Sequence, residues 1–152
     1  MEKWKVEKEV KSAKYGWDCP KLTGKTRGTL VARPQSVPPW NLAERTRLFA
    51  LDVLAFCRRL PNSSEARDAG RQLLRAANST RSNYRSARRA RSRAEFRSKL
   101  QVAFEEADES VDWLEYLRDG RILHDEALIQ EARELASILA ASVRSARRAP
   151  QA

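Results

Sequence analysis

Small and apolar side chains return at alternating steps of three and four residues along two long stretches of this chain, a spacing that only a helix turns into a face. The first stretch reads Ala66, Gly70, Leu73, Ala77, Thr80, Tyr84 and Ala87. The second reads Phe96, Leu100, Ala103, Ala107, Ser110, Leu114 and Leu117, widened by Phe104 and Val111. Shorter stripes flank them: Phe49, Val53, Phe56 and Leu60 before, Leu128, Ala132, Leu135, Leu139 and Val143 after. Local punctuation separates the four. Asn41 is placed to cap a helix over 42–60, with Glu44 as its capping-box partner, and Pro61 stops it. A second helix starts at 62–64, with Glu65 placed for the same box, and runs to about residue 89. Ser92 and Glu95 open a third, which Gly120 ends in the position of a C-terminal glycine cap. Asp125 opens a fourth, which runs to about residue 150. Helices joined by such short links pack as antiparallel neighbours, so the expected fold is an all-α, up-down-up-down four-helix bundle over 41–149. The small residues of the second helix let its neighbours approach closely.

Residues 1–40 break this pattern. They are rich in Lys, contain Gly16, Gly24 and Gly28, close on Pro34, Pro38 and Pro39, and keep no sustained period. The expectation is a disordered basic tail, with a short amphipathic helix over 2–14 as the alternative. Trp4, Tyr15 and Trp17 stand among lysines there, a composition able to stack on unpaired nucleotides and equally that of a plain tail. No apolar run reaches the roughly 20 residues of a membrane span, and the first residues have no apolar signal core, so a cytoplasmic protein is expected. Cys19 precedes Pro20 in a polar segment whereas Cys57 sits in an apolar helical pattern, which argues against a disulfide framework.

Charge is the informative feature. The 152 residues carry 30 Lys and Arg against 20 Asp and Glu, a net charge of +10. From 71 to 99 there are ten bases and one acid, Glu95; from 100 to 134 there are eleven acids and three bases. Folded up and down, the turn near Ala90 becomes one pole of the molecule. It gathers Arg45, Arg47, Arg85, Arg88, Arg89, Arg91, Arg93, Arg97, Arg144, Arg147 and Arg148, while Glu65, Asp68, Asp112, Glu115, Asp119, Asp125 and Glu126 gather at the other. Ion pairs between neighbouring helices account for part of this pattern, but few acids lie near 88–93. Crowded like charges cost folding free energy, and a polyanion relieves that cost. The candidate nucleic-acid-binding residues are therefore Arg81, Arg85, Arg88, Arg89, Arg91, Arg93 and Arg97, with RNA or DNA as partner. An acidic protein surface is the alternative. Leu48, Leu51, Val111 and Trp113 lie off the main stripes, and such a second apolar strip points to a homo-oligomer.

Catalytic patterns are not found. His124, the only histidine, stands beside Asp125 in a connection with no nucleophile tied to it. Glu105, Glu106, Asp108 and Glu109 lack the inward Glu-x-x-His pairs of a di-iron bundle. No phosphate-binding loop or nucleophile elbow occurs. The expectation is a protein without enzymatic activity, metal or cofactor.

Three segments carry a family resemblance. They are Gln72-Leu-Leu-Arg-Ala-Ala-Asn-Ser79; Asn83-Tyr84-Arg85 with Ala90-Arg-Ser-Arg-Ala-Glu-Phe96 and Lys99-Leu100; and Glu105-Glu-Ala-Asp-Glu-Ser110 with Trp113-Leu-Glu115. In order and spacing they resemble the bacterial four-helix-bundle family named after the 23S rRNA-intervening-sequence protein, over about 42–148. The resemblance implies an antiparallel bundle assembled as a ring, usually a homopentamer, with no established catalytic activity. A related branch holds the accessory protein of diversity-generating retroelements, which implies a reverse transcriptase as a further partner, and members encoded by insertions in large-subunit ribosomal RNA genes imply a ribosomal component. Where many members read approximately Ile-Pro-Ala-Asn-Ile-Ala-Glu-Gly, this chain has Thr80-Arg-Ser-Asn-Tyr-Arg-Ser-Ala87. Losing the proline implies a straighter second helix, and the added arginines strengthen the basic pole.

Overall fold

The structure is a computed structural model that describes residues 41–148; the expectations for 1–40 and for residue 149 lie outside it. Four helices follow one another: α1 Leu42–Cys57, α2 Ser64–Ala87, α3 Arg93–Asp119 and α4 Glu126–Arg148. No strand occurs among the described residues. Helix α2 packs on α1 and α3, and α4 on α3 and α1, so the helices follow chain order around the bundle. Cross-links show the relative directions. Arg75 of α2 reaches Glu106 and Glu109 of α3 at 3.5 and 2.5 Å, and Arg133 of α4 reaches Glu115 of α3 at 2.5 Å while Arg147 reaches Gln101 at 3.0 Å. Late positions of α3 meet early positions of α4 and early ones meet late, while the α2–α3 contact joins the middles of both helices; an up-and-down bundle is compatible with this pattern.

Side-chain oxygens set all four helix starts, Asp125 accepting from the Leu128 N–H at 3.2 Å before α4. Asn41, Ser63 and Ser92 each accept a hydrogen bond from the backbone N–H three residues on, at 3.2, 3.2 and 3.1 Å. With Ser63 as the cap, Glu65 stands one place too early for a capping box. Glu44 likewise turns away from Asn41 and binds Arg47 instead. Helix α1 ends at Cys57 rather than at Leu60. Proline cannot continue the ladder, and the chain tightens before it through Arg59 N–H to Phe56 C=O and Leu60 N–H to Cys57 C=O, at 3.0 and 3.2 Å.

The end of α3 corrects a second expectation. Gly120 keeps a right-handed helical conformation at φ −71°, and the left-handed residue is Arg121, at φ 56°. Arg121 N–H bonds Arg118 C=O at 2.9 Å and Ile122 N–H bonds Leu117 C=O at 3.0 Å, a Schellman motif with arginine where glycine usually stands.

The core is built unequally. Leu100, Leu114, Leu117, Leu128, Ile129, Leu135 and Leu139 of α3 and α4 are fully buried, whereas α2 contributes mainly Ala66, Ala69, Gly70, Ala76, Ala77, Thr80 and Ala87 around Leu73 and Tyr84. Small seams bring helix axes together. The hydroxyls inside them are satisfied: Thr80 donates to Ala76 C=O at 3.0 Å and Ser110 to Glu106 C=O at 2.8 Å. Helix α2 runs without interruption through the segment where the family-like proline is missing. The off-stripe residues do not form one exposed apolar face. Leu48 is 4% exposed, Leu51 is half-buried, and Val111 and Trp113 pack against the core. Among the described residues the exposed large hydrophobic is Tyr116, at 53%, with the Trp113 ring edge-on to it at 5.6 Å.

Candidate nucleic-acid interface

The end of the bundle at the α2–α3 turn holds two grooves. One, of about 520 Å³, lies between the start of α1 and the last turns of α2, lined by Asn41, Ala43, Glu44, Thr46, Arg47, Arg81, Tyr84, Arg85, Arg88 and Arg89. The other, of about 230 Å³, lies between the start of α3 and the end of α4, lined by Arg97, Ser98, Gln101, Val143, Ala146 and Arg147. The helix period explains the first lining. Residues 81, 85 and 88 are separated by four and three, so they share a side of α2, and Tyr84 beside them is buried and closes the floor.

Of the seven arginines expected at the interface, Arg81, Arg85, Arg88 and Arg89 line the first groove and Arg97 the second. Arg91 and Arg93 stand in and after the turn that links them. Arg81, Arg85, Arg89 and Arg97 make no ion pair or hydrogen bond through their guanidinium groups among the described residues. Arg91 donates its backbone N–H to Glu95 at 2.9 Å, which leaves its side chain 92% exposed and 3.7 Å from that carboxylate. The acid nearest the first groove, Glu44, is occupied by Arg47 at 2.6 Å. The hydrogen bond from Arg47 holds the Glu44 carboxyl below its ordinary pKa.

Arg45 does not belong to this set. Its Nε and Nη2 donate to both oxygens of Glu131, at 3.1 and 2.9 Å, and Nη2 also reaches Glu134 at 2.9 Å. The side chains of Arg45 and Glu131 are 12% and 8% exposed. Burial works against the charge of the guanidinium, but the bonds to Glu131 and Glu134 outweigh it and raise its pKa. This arginine ties α1 to α4. The acids of the far pole are engaged too: Asp68 with Arg71, Glu115 and Glu126 with Arg133, Asp119 with Arg118, and Asp125 with Arg59. The cluster on α3 is dispersed in the same way, with Glu105 accepting from Gln101, Glu106 and Glu109 from Arg75, and Glu109 also from Trp113.

Among the described residues, no group of three or more His, Cys, Asp and Glu is arranged to hold a metal ion. His124 lies 3.4 Å from Glu126 on an exposed connection. No described helix is long and apolar enough to cross a membrane. Of the second groove's lining, Arg97 alone was among the expected site residues. Arg147 and Gln101 come together only because α4 returns along α3, a pairing 46 positions apart that no local pattern announces.

No curated protein matches the chain. Among solved structures, it is similar to a protein of unknown function from the S23 ribosomal protein family of Bacteroides thetaiotaomicron VPI-5482, determined at 1.70 Å. The two share 27% identity and superpose with a TM-score of 0.63 over 68% of this chain and 95% of that one. The sequence profile of the 23S rRNA-intervening sequence proteins matches residues 40–141, the bundle as far as the last turns of α4. The chain therefore belongs to the 23S rRNA-intervening sequence protein family.

Proposed function

We propose that this protein is a non-enzymatic, homo-oligomeric adaptor whose basic end binds nucleic acid, with RNA ahead of DNA. One observation carries the reading: Arg81, Arg85, Arg89 and Arg97 converge on one end of the bundle with no acid engaging them, whereas Arg59, Arg71, Arg75, Arg118 and Arg133 elsewhere are each paired with an acid. Lone arginines on open grooves suit phosphate, whose oxygens accept the guanidinium fork. Helix-borne arginines at a helix end reach phosphates more readily than base edges, so sequence preference is weak. The family's description refers to 23S rRNA, which supports ranking RNA ahead of DNA in this reading. Service to a reverse transcriptase or a ribosomal element fits the same reading. A ring, five-membered by family resemblance, would multiply each protomer's arginines and strengthen a modest site. The exposed Tyr116 is available to a subunit contact.

The test is a gel-shift titration at two salt concentrations with the full chain and with Arg81, Arg85, Arg89 and Arg97 replaced together by Ser. Wild-type affinity falls at least about tenfold between 50 and 200 mM salt if several phosphates are neutralised. The variant binds weakly at both. Absence of binding by the wild type at low salt sinks the reading and transfers the same arginines to an acidic protein partner. Light scattering tests assembly, and a monomer at micromolar concentration removes the ring.

A further inference from the structure

The two grooves lie on different sides of the molecule. One separates α1 from α2 and the other α3 from α4, and the helices follow chain order around the bundle, so the α2–α3 pair stands between them. Arginines run without a break from one to the other. They start at Arg81 and Arg85, pass Arg88, Arg89 and Arg91 over the turn, and continue through Arg93 and Arg97 to Arg147. We infer that this band is a track for single-stranded nucleic acid, which enters one groove, crosses the α2–α3 turn and leaves by the other. The inference rests on the nucleic-acid reading above and names its substrate class.

Curvature decides between strand types. Two packed helices with axes about 8–10 Å apart present an edge roughly 20 Å across, and the band turns over it. A duplex with a persistence length of about 500 Å costs several kcal/mol to bend by even 40–90° over a whole binding site, so it cannot fold over such an edge. Laid on this end, a duplex reaches the arginines of one groove only. A single strand has no such stiffness. The groove floors carry no charge, with Ala43, Thr46 and Tyr84 in one and Val143 and Ala146 in the other, while the rim arginines take the phosphates. From the helical rise, Arg81 to Arg89 spans about 12 Å. Adding the crossing and the second groove gives a track for about six to ten nucleotides, within the range of other single-strand-binding surfaces.

The two-groove track is tested with two double variants of the full chain, Arg81→Ala with Arg85→Ala in the first groove and Arg97→Ala with Arg147→Ala in the second. Fluorescence anisotropy follows labelled single strands of 4 to 16 nucleotides, as oligo-U and oligo-dT, and a duplex of matching length. The expected result is tighter binding of single strands, affinity that stops rising with length near six to ten nucleotides, and a loss of tenfold or more in either double variant. Each variant should also lower the slope of log affinity against log salt by about 1.4 for a single strand. Circular dichroism confirms that both variants keep the helical fold. A duplex bound as tightly as the single strand overturns the track, as does a second-groove variant that binds single strands like wild type; either result leaves nucleic-acid binding itself standing. If wild type binds neither, the underlying function and the track fall together.

Discussion

The two ends of this bundle are made of the same residue types and finished in opposite ways. At the end carrying Pro61 and the α3–α4 connection, Leu60 fills the space over Gly70, where a Cβ would come within 2.6 Å of it, and the Cys57 thiol points at Gly70 C=O at 3.5 Å. There Arg59, Arg118 and Arg133 are matched by acids, with Arg58, Arg67 and Arg121 as exceptions, Arg67 donating to the Asn62 amide oxygen instead. At the α2–α3 end two grooves stay open and Arg81, Arg85, Arg89 and Arg97 stay without acids. The comparison teaches that an arginine count says little. What distinguishes the ends is whether acids were brought into register with the bases.

The most severe way to disturb the open end is to remove Arg45, the part-buried arginine that ties α1 to α4. Arg45→Met leaves Glu131 within the α1–α4 contact without its bidentate partner, and urea unfolding should show a loss of about 3 kcal/mol. A loss below about 1 kcal/mol would mean that the contact contributes no more than an exposed pair.

At the closed end, packing predicts an alkaline weakness. Burial pushes the Cys57 thiol from 9.0 up to about 11. The folded state holds this proton more tightly than the unfolded chain. The contribution is therefore complete below pH 9 and lost as pH rises towards 11, by up to about 2 kcal/mol once partial exposure is allowed for. Stability measured at pH 8, 9.5 and 11 should decline in wild type and decline less in Cys57→Ala. Parallel curves would show that the thiol is not shielded.

A gain is available at the same end. Arg121→Gly relieves a left-handed backbone that a Cβ disfavours and should raise stability by about 0.5–1 kcal/mol, the relief being partly offset by a freer unfolded chain. A lowered melting temperature would show that the arginine side chain is needed there. The smallest effect belongs to the open end: Arg81, Arg85 and Arg89 changed together to Ala should move stability by no more than about 0.5 kcal/mol while weakening nucleic-acid binding. A large destabilisation would place these side chains among the supports of the fold.

Local chemistry was legible in the sequence and distant chemistry was not. The stripes gave four helices because a 3.6-residue period needs only near neighbours to be seen. Asn41 and Ser92 were readable as caps for the same reason. Ser63 was harder to place, since Asn62, Ser63 and Ser64 are all competent caps. Gly120 misled because the rule for a terminal glycine does not say which of two adjacent residues will turn left-handed. Leu48 was read as exposed because a flank position on α1 is apolar whether it meets solvent or its own bundle. Arg45 was counted with the basic pole because its partners, Glu131 and Glu134, lie 86 and 89 positions away. The seven candidate arginines were picked by charge, but the groove around Arg97 and Arg147 needed the fold.

The Arg45–Glu131 contact also bears on the order in which the chain assembles. Helices α2, α3 and α4 meet through short connections, whereas this contact closes a loop of 86 residues. Loop closure costs entropy before any contact repays it, so the hairpins form first and the join between α1 and α4 comes late. A late contact is absent from the folding transition state. Its loss should therefore leave the folding rate nearly unchanged and appear as faster unfolding, so this part-buried pair contributes to how long the folded bundle lasts.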